Sequence, residues 1–505
     1  MSDLKNIVGQ SSVILLGTAV TVLSGFFFKA FLARHLGAGG LGIYSLGISV
    51  VTIASIFVTL GLGNGLVRFV SKYMAEQNYV QLHTYLYHTF KLSLISTCLF
   101  GSMLVLFPHF IATRILHAPE MESYLWFFAI LLLLNSFVAL FDQIIRGCKQ
   151  VKKSTVIGNF IRQPFKIILA VVLMLGGSGL SGYLVAEIAA ALLTVLLFAL
   201  LARKLLSVMV RPIFKAAQSK LLPEERKFGM NFLLINLTGV LQTEGDKILL
   251  AAYFSTTELG IYAVILTFLA FVPIVLKAVI AIFGPIASEQ FSLGNFSALK
   301  NLLMKTTYFT FLISFSIAFI IAYSGQTLLL IFGREYQSGY VPMLIILSGS
   351  LLDVVTGSIG TVLVMSGNER YVRNISIYGF IGSIILFLIF IPVWGIYGAA
   401  VVKMFVLLCT NGYVSVVLYK TLNMSIFNKS YMALLLYSAL FLVLGYFLRE
   451  ELTATIVTTI WSCAGLLLAY YIGWYLLLAD PEHKRYVGIL ISKFRAFTTS
   501  KNNEP

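Results

Sequence analysis

The sequence predicts an all-α, polytopic membrane protein of about 14 transmembrane helices, in two parallel-repeat six-helix lobes plus two C-terminal helices. Three observations predict it. Of 505 residues, 59% are hydrophobic and 11% charged, with a mean hydropathy of +0.93, whereas soluble globular chains carry roughly 45–50% apolar and about 25% charged residues. Apolar runs of about 20 residues, the length a spanning helix needs, follow one another nearly end to end. The second half of the chain also repeats the first at an offset near 218 residues.

Hydropathy and breaker residues place the spans near 9–33, 42–66, 88–111, 121–145, 157–176, 181–202, 229–253, 261–287, 303–323, 341–366, 372–391, 396–419, 429–448 and 453–477. The first reads as a retained span, because its apolar stretch is too long for a signal peptide and lacks a small-residue cleavage site. A glycine-rich turn at 176–179 makes spans five and six antiparallel neighbours. The division that follows is an N-lobe at 1–205, a basic cytoplasmic linker at 206–228, a C-lobe at 229–425, spans thirteen and fourteen at 426–480, and a cytoplasmic tail at 481–505.

An even number of spans puts both termini on one side of the membrane. Loops on that side hold 28 of the 36 Lys and Arg residues, Arg162 and Lys166 counted among them, against 4 on the other side. Positive loops stay inside, so both termini are expected in the cytoplasm of a bacterial cell with the chain in its inner membrane. The net charge of +16 is thus topology-setting, not a nucleic-acid face. Trp126, Trp394, Trp461 and Trp474 fall near span ends, where amphipathic rings prefer the interface.

The repeat rests on three anchors. Residues 29–44 (KAFLARHLGAGGLGIY) align without a gap on 247–262 (KILLAAYFSTTELGIY), 179–182 on 395–398, and 146–147 on 366–367. Six spans per unit is an even number, so both copies enter the membrane in the same direction. Parallel repeats enclosing a cleft are a transporter architecture worked by rocking one lobe against the other. Pro273, Gly284 and Pro285 can kink span eight; Pro164 either kinks span five or sits in its first turn.

Eight charged residues are read as lying well inside spans: Lys29, Glu187, Glu244, Asp246, Lys247, Lys277, Asp353 and Lys403. Each would cost roughly 2.5–3.5 kcal/mol at a lipid-facing helix centre, so they are expected to face protein or a wet cavity. Through the repeat Lys29 maps onto Lys247, and Glu187 onto Lys403, a charge swap at equivalent sites. Lys29, Lys247 and Lys403 are candidates for an anionic substrate group; Glu187, Asp246, Asp353, Glu244 and Lys277 are candidates for coupling or cavity roles, or for packing pairs. Glu244 and Lys247, three residues apart, can neutralise each other on one helix face. Asp142 and Arg146 form either a cytoplasmic gate or a surface pair.

No P-loop, HExxH or metal-spaced Cys/His cluster occurs, so no metal, nucleotide or catalytic residue is expected. Cys98, Cys148, Cys409 and Cys463 are scattered and take no role. These features favour a transporter over an enzyme, with a membrane-embedded glycan polymerase as a distant alternative.

Leu36 to Tyr44 (LGAGGLGIY), Gly245 to Leu250 (GDKILL), Glu258 to Tyr262 (ELGIY), Ser366 to Arg370 (SGNER) and Ile391 to Ala400 (IPVWGIYGAA) resemble the polysaccharide flippases. These are the Wzx-type O-antigen and exopolysaccharide transporters of the multidrug/oligosaccharidyl-lipid/polysaccharide exporter superfamily. The resemblance covers the whole chain through loose motifs in the right order. It implies a fourteen-helix, two-lobed flippase carrying a polyprenyl-diphosphate-linked oligosaccharide from the cytoplasmic to the periplasmic leaflet for O-antigen or exopolysaccharide (lipopolysaccharide-type) synthesis. It implies a cationic cavity, which suits Lys29, Lys247 and Lys403 facing a diphosphate. It also implies membrane lipids and a polysaccharide polymerase as neighbours, and allows a proton or sodium ion as coupling ion. Within the superfamily the alternatives are a cation-coupled drug exporter and a peptidoglycan lipid-precursor flippase.

Overall fold

A backbone surrounded by hydrocarbon must satisfy every N–H and C=O internally, which these apolar runs do by coiling into helices. The computed structural model describes residues 2–206, 220–452, 455–481 and 484. Most of the linker expected at 206–228 and of the tail expected at 481–505 lies outside the described residues. Among the described residues there are helices and turns and no strand. The main helices are α1 Ser2–Thr59, α2 Leu62–Ala75, α3 Tyr79–Leu106, α4 Leu125–Gly147, α5 Gln163–Leu173, α6 Gly179–Leu206, α7 Pro223–Tyr253 and α8 Thr256–Leu269. They continue as α9 Ile274–Ser292, α10 Phe296–Phe332, α11 Tyr340–Thr356, α12 Ile359–Met365, α13 Glu369–Trp394, α14 Ile396–Leu422, α15 Lys429–Leu452 and α16 Ile456–Gly473.

Helix covers most of every expected span among the described residues, with span eight broken by a turn at 270–273, and the chain is a multi-pass, all-α membrane protein. Eleven segments among the described residues are long and apolar enough to cross a membrane. Two of them, Thr21–Thr59 and Val151–Leu206, each contain parts of two expected spans. The breaks are glycine turns: Gly37 interrupts α1 at φ 67°, and Gly177 (φ 87°) with Gly179 (φ 50°) reverses the chain between α5 and α6. A side chain at these φ values would be strained, whereas glycine adopts them freely.

Packing divides the chain into two compact units. The first comprises 1–267, 331–342 and 377–403; the second comprises 268–330, 343–376 and 404–505. Residues 1–205 lie wholly in the first unit, and 229–425 are divided between the two.

In the first unit, α2, α3 and α4 close around Leu66, Phe69, Val70, Leu82, Tyr85, Leu140 and Ile144. Lipid is as apolar as these side chains, so close packing and hydrogen bonds hold such a core more than water exclusion does. Tyr85 accordingly donates its hydroxyl to the Leu62 carbonyl at 2.8 Å. The repeat is visible here as a reciprocal crossing. A Cβ on Gly42 would collide with the Thr256 carbonyl, and one on Gly260 with the Ala38 carbonyl. Positions 42 and 260, and 38 and 256, are repeat equivalents at the offset of 218. The two Leu-Gly-Ile-Tyr segments therefore meet through matching faces, each with a small-xxx-small spacing that lets backbones touch.

In the second unit, α15 and α16 pack on α10 through aromatic rings: Tyr470 lies 4.8 Å from Phe315 and 5.1 Å from Phe441, centroid to centroid. Trp474 stays near the end of its helical segment. It is buried, and its indole donates to the Tyr308 hydroxyl at 2.8 Å. Trp126, Trp394 and Trp461 are exposed.

Candidate functional site

The charges that the sequence places in spans one, seven and twelve come together in the first unit. The Lys247 ammonium bonds Glu244 at 2.7 Å along α7, and Ser49 donates to the same carboxylate oxygen at 2.6 Å. Asp246, fully buried, accepts from Lys403 of α14 at 2.5 Å and from the Tyr262 hydroxyl of α8 at 2.6 Å. The Lys403 ammonium also sits 5.4 Å from the centroid of the Tyr262 ring. Two acids on α7, two residues apart, thus take different lysines: Glu244 takes the one on its own helix face, Asp246 the one 157 residues away.

Lys29 is different. Its ammonium donates to the Ala263 carbonyl at 2.9 Å and the Thr267 hydroxyl at 2.7 Å. Among the described residues its bonding partners are all neutral, and the charge that acts on it is Lys247. Three lysines against two carboxylates leave this cluster with one positive charge in excess.

Glu187 lies in a second cluster. It is buried, 3.2 Å from Lys166 and 3.6 Å from Arg162, and it accepts from Tyr183 at 3.1 Å. Tyr44 stacks edge-on against Tyr183, centroids 4.8 Å apart. The repeat relation persists, for Tyr262 touches Lys403 as Tyr44 reaches Glu187 through Tyr183. Arg162 and Lys166 correct their assignment to loop charges. They stand on the π-helical turn Val156–Arg162 and on α5, within an apolar segment. A π-turn of this kind frequently marks a functional position.

Beside this cluster, α4, the π-turn and α6 line a cavity of about 460 Å³, with Asn135, Asp142, Arg146, Asn159, Arg162 and Thr194 on its wall. Arg162 donates to Asn135 at 2.8 Å. Asp142 is occupied by Arg146 at 2.7 Å and by the Ser154 hydroxyl, so Asp142 and Arg146 form a pair on this wall.

Asp353 and Lys277 are not part of either cluster; both belong to the second unit. Asp353 accepts from Asn411 at 3.3 Å, and Asn411 accepts in turn from Thr356 at 2.8 Å. Lys277 is exposed on α9 and acts on Asp353 through space. Among the described residues no group of three His, Cys, Asp or Glu is arranged to hold a metal. Reading charges alone missed Arg162, Lys166 and the hydroxyl partners Ser49, Tyr262 and Thr267. The four-residue spacing of Arg162 and Lys166, one helix face, was the available signal.

Fold and site together define a multi-pass helical membrane protein with ionised groups gathered inside its bundle. Residues 7–291 match the family described as polysaccharide biosynthesis protein, and the chain belongs to that family. Among curated proteins, no sequence matches significantly. Among solved structures, the chain is similar to the lipid II flippase MurJ in its inward closed conformation, with a TM-score of 0.67, 14% identity, and 92% of this chain and 99% of that one covered. It is also similar to an inward-facing multidrug resistance MATE family transporter of the MOP superfamily, with a TM-score of 0.64, 14% identity, and coverage of 79% and 96%. At such identities the likeness is one of fold.

Proposed function

We propose that this chain is a flippase, not an enzyme. It moves a polyprenyl-diphosphate-linked oligosaccharide from the cytoplasmic to the periplasmic leaflet of a bacterial inner membrane, by alternating access, for surface polysaccharide synthesis. The observation that carries the reading is Lys29, an ammonium held by a carbonyl and a hydroxyl beside a second lysine. A cation kept without a carboxylate in an apolar bundle is a seat for an incoming anion, and lysine serves phosphate as a point charge. Lys247 and Lys403 already hold carboxylates, so an arriving diphosphate competes with Glu244 and Asp246 for them. Displaced carboxylates favour a proton or sodium ion, which gives substrate binding a route to cation coupling.

The family match supports the link to polysaccharide synthesis, and the fold is shared with flippases and exporters. One observation favours the second reading, a cation-coupled drug exporter: Asp353 has neutral hydrogen-bonding partners. Deleting the gene and extracting lipids decides between them. Lipid-linked oligosaccharide should accumulate on the cytoplasmic leaflet while surface glycan disappears. Normal surface glycan would overturn the flippase reading.

A further inference from the structure

The reciprocal crossing of the two Leu-Gly-Ile-Tyr segments carries a second pair of matched contacts. Ala38 is the first residue after the Gly37 break, and its N–H donates to Glu335 at 2.7 Å. Thr256 opens α8, and its hydroxyl donates to Glu120 at 3.0 Å. Positions 38 and 256 are repeat equivalents. Glu120 and Glu335 sit on matching 3₁₀ turns, Pro119–Tyr124 and Arg334–Gly339, each leading directly into a helix. Each repeat therefore reaches across and places its glutamate at the start of the other repeat's second helix, where a carboxylate is favoured by the helix dipole. At the centre, a Cβ on Gly39 would stand 3.6 Å from the Thr257 hydroxyl; 39 and 257 are themselves equivalents, which marks the symmetry axis. Arg34 adds a bond to the Ile331 carbonyl at 2.6 Å. By the span count, all these residues fall at the end opposite the basic loops.

We propose that this crossing is a latch that shuts that end of the bundle, with Glu120 and Glu335 as its two symmetric fasteners and the glycine contact as its seat. Its consequence for export rests on the transport reading above; its existence does not. Both glutamates bind the partner repeat at its helix start, so opening breaks two charge-assisted bonds and two backbone contacts together.

The test uses full-length protein in native membranes, with the four native cysteines replaced by serine. In a G39C/T257C variant, oxidation should form a cross-link between positions 39 and 257. It should stop glycan export, and a reductant should restore it. Separately, a cysteine at the partly buried Ser45, one turn below the crossing, should react at least ~3-fold faster with an impermeant maleimide in E120A/E335A, a direction that follows from loosening a two-state contact. E122A serves as the control. Glu122 is on the same turn but pairs with His109 at 3.0 Å, and its labelling should stay at the parent rate. Failure to cross-link, or labelling that E120A/E335A leaves unchanged, would each overturn the latch; where lipid extraction has borne out the flippase reading, undiminished export by fully cross-linked protein would overturn it too. Cross-linking and labelling need no substrate, so failure of the flippase reading would appear in the lipid extraction alone.

Discussion

Asp246 and Lys403 can be packing partners, substrate ligands or both, and two variants separate these roles. Asp246→Asn leaves the Lys403 ammonium without its counter-ion beside a fully buried position. Breaking a buried pair this way should cost about 3–5 kcal/mol, whereas removing both charges is often nearly neutral. Thermal unfolding of the detergent-solubilised chain should show a clear loss for D246N and recovery in D246N/K403M. Export should not recover with stability in D246N/K403M if Lys403 also meets the diphosphate; full export there would leave the pair a packing device. Lys29 is expected to behave in the opposite sense. K29Q should hold protein level and stability while abolishing complementation, because no carboxylate is orphaned, and wild-type export by K29Q would remove it from the site. The Glu244–Lys247 contact was legible in the sequence because three-residue spacing shares a helix face. The choice of Lys403 by Asp246 was not, since it depends on how α8 and α14 pack around α7.

Glu225 shows the same limit for a whole helix. It is fully buried at the start of α7, and one carboxylate there serves three donors. The Leu222 N–H donates to it at 2.7 Å, the Tyr73 hydroxyl at 2.6 Å and the Gln81 amide at 3.1 Å. It caps its own helix and ties it to α2 and α3. Burial first, and then this carboxylate, push the Tyr73 phenol above its ordinary value, so it stays a donor. E225A should therefore cost on the order of 2–3 kcal/mol, the value of losing hydrogen bonds to a charged group. Melting of the purified chain measures it, with E225Q falling in between; a melting point unchanged in E225A would refute the tie. Hydropathy located α7 but put Glu225 inside a linker, because the tie to α2 and α3 is read from Tyr73 and Gln81, which lie about 150 residues away in sequence. The glycine turn at 176–179 was legible for a local reason: Gly177 and Gly179 break the helix through their own φ values. The π-turn before α5 left no comparable mark. The basic-residue count assigns Arg162 and Lys166 to loops although the expected span 157–176 contains them, and the structure puts both on helix.

At the scale of the molecule, the repeat and the charge asymmetry were the most legible features, because each is summed over many residues. Moving Arg162 and Lys166 into the bundle leaves 26 of the 36 basic residues in loops on the side of the termini, against 4 opposite. The bias therefore survives its own correction, and it makes a prediction about every loop at once. Fusions ending near residue 206 or 422 should fluoresce with a cytoplasmic reporter and be inactive with alkaline phosphatase. Fusions ending near 177 or 333 should show the reverse, since each lies an odd number of crossings from the N-terminus. Gly37, Glu120, Thr256 and Glu335 all belong to the second group of loops, so the same measurement decides which side the latch closes. Phosphatase activity at 206 together with its loss at 333 would invert the whole chain. The latch would then shut the cytoplasmic end, and a bundle closed there while its lysines wait for a cytoplasmic diphosphate could not load its substrate in the state described.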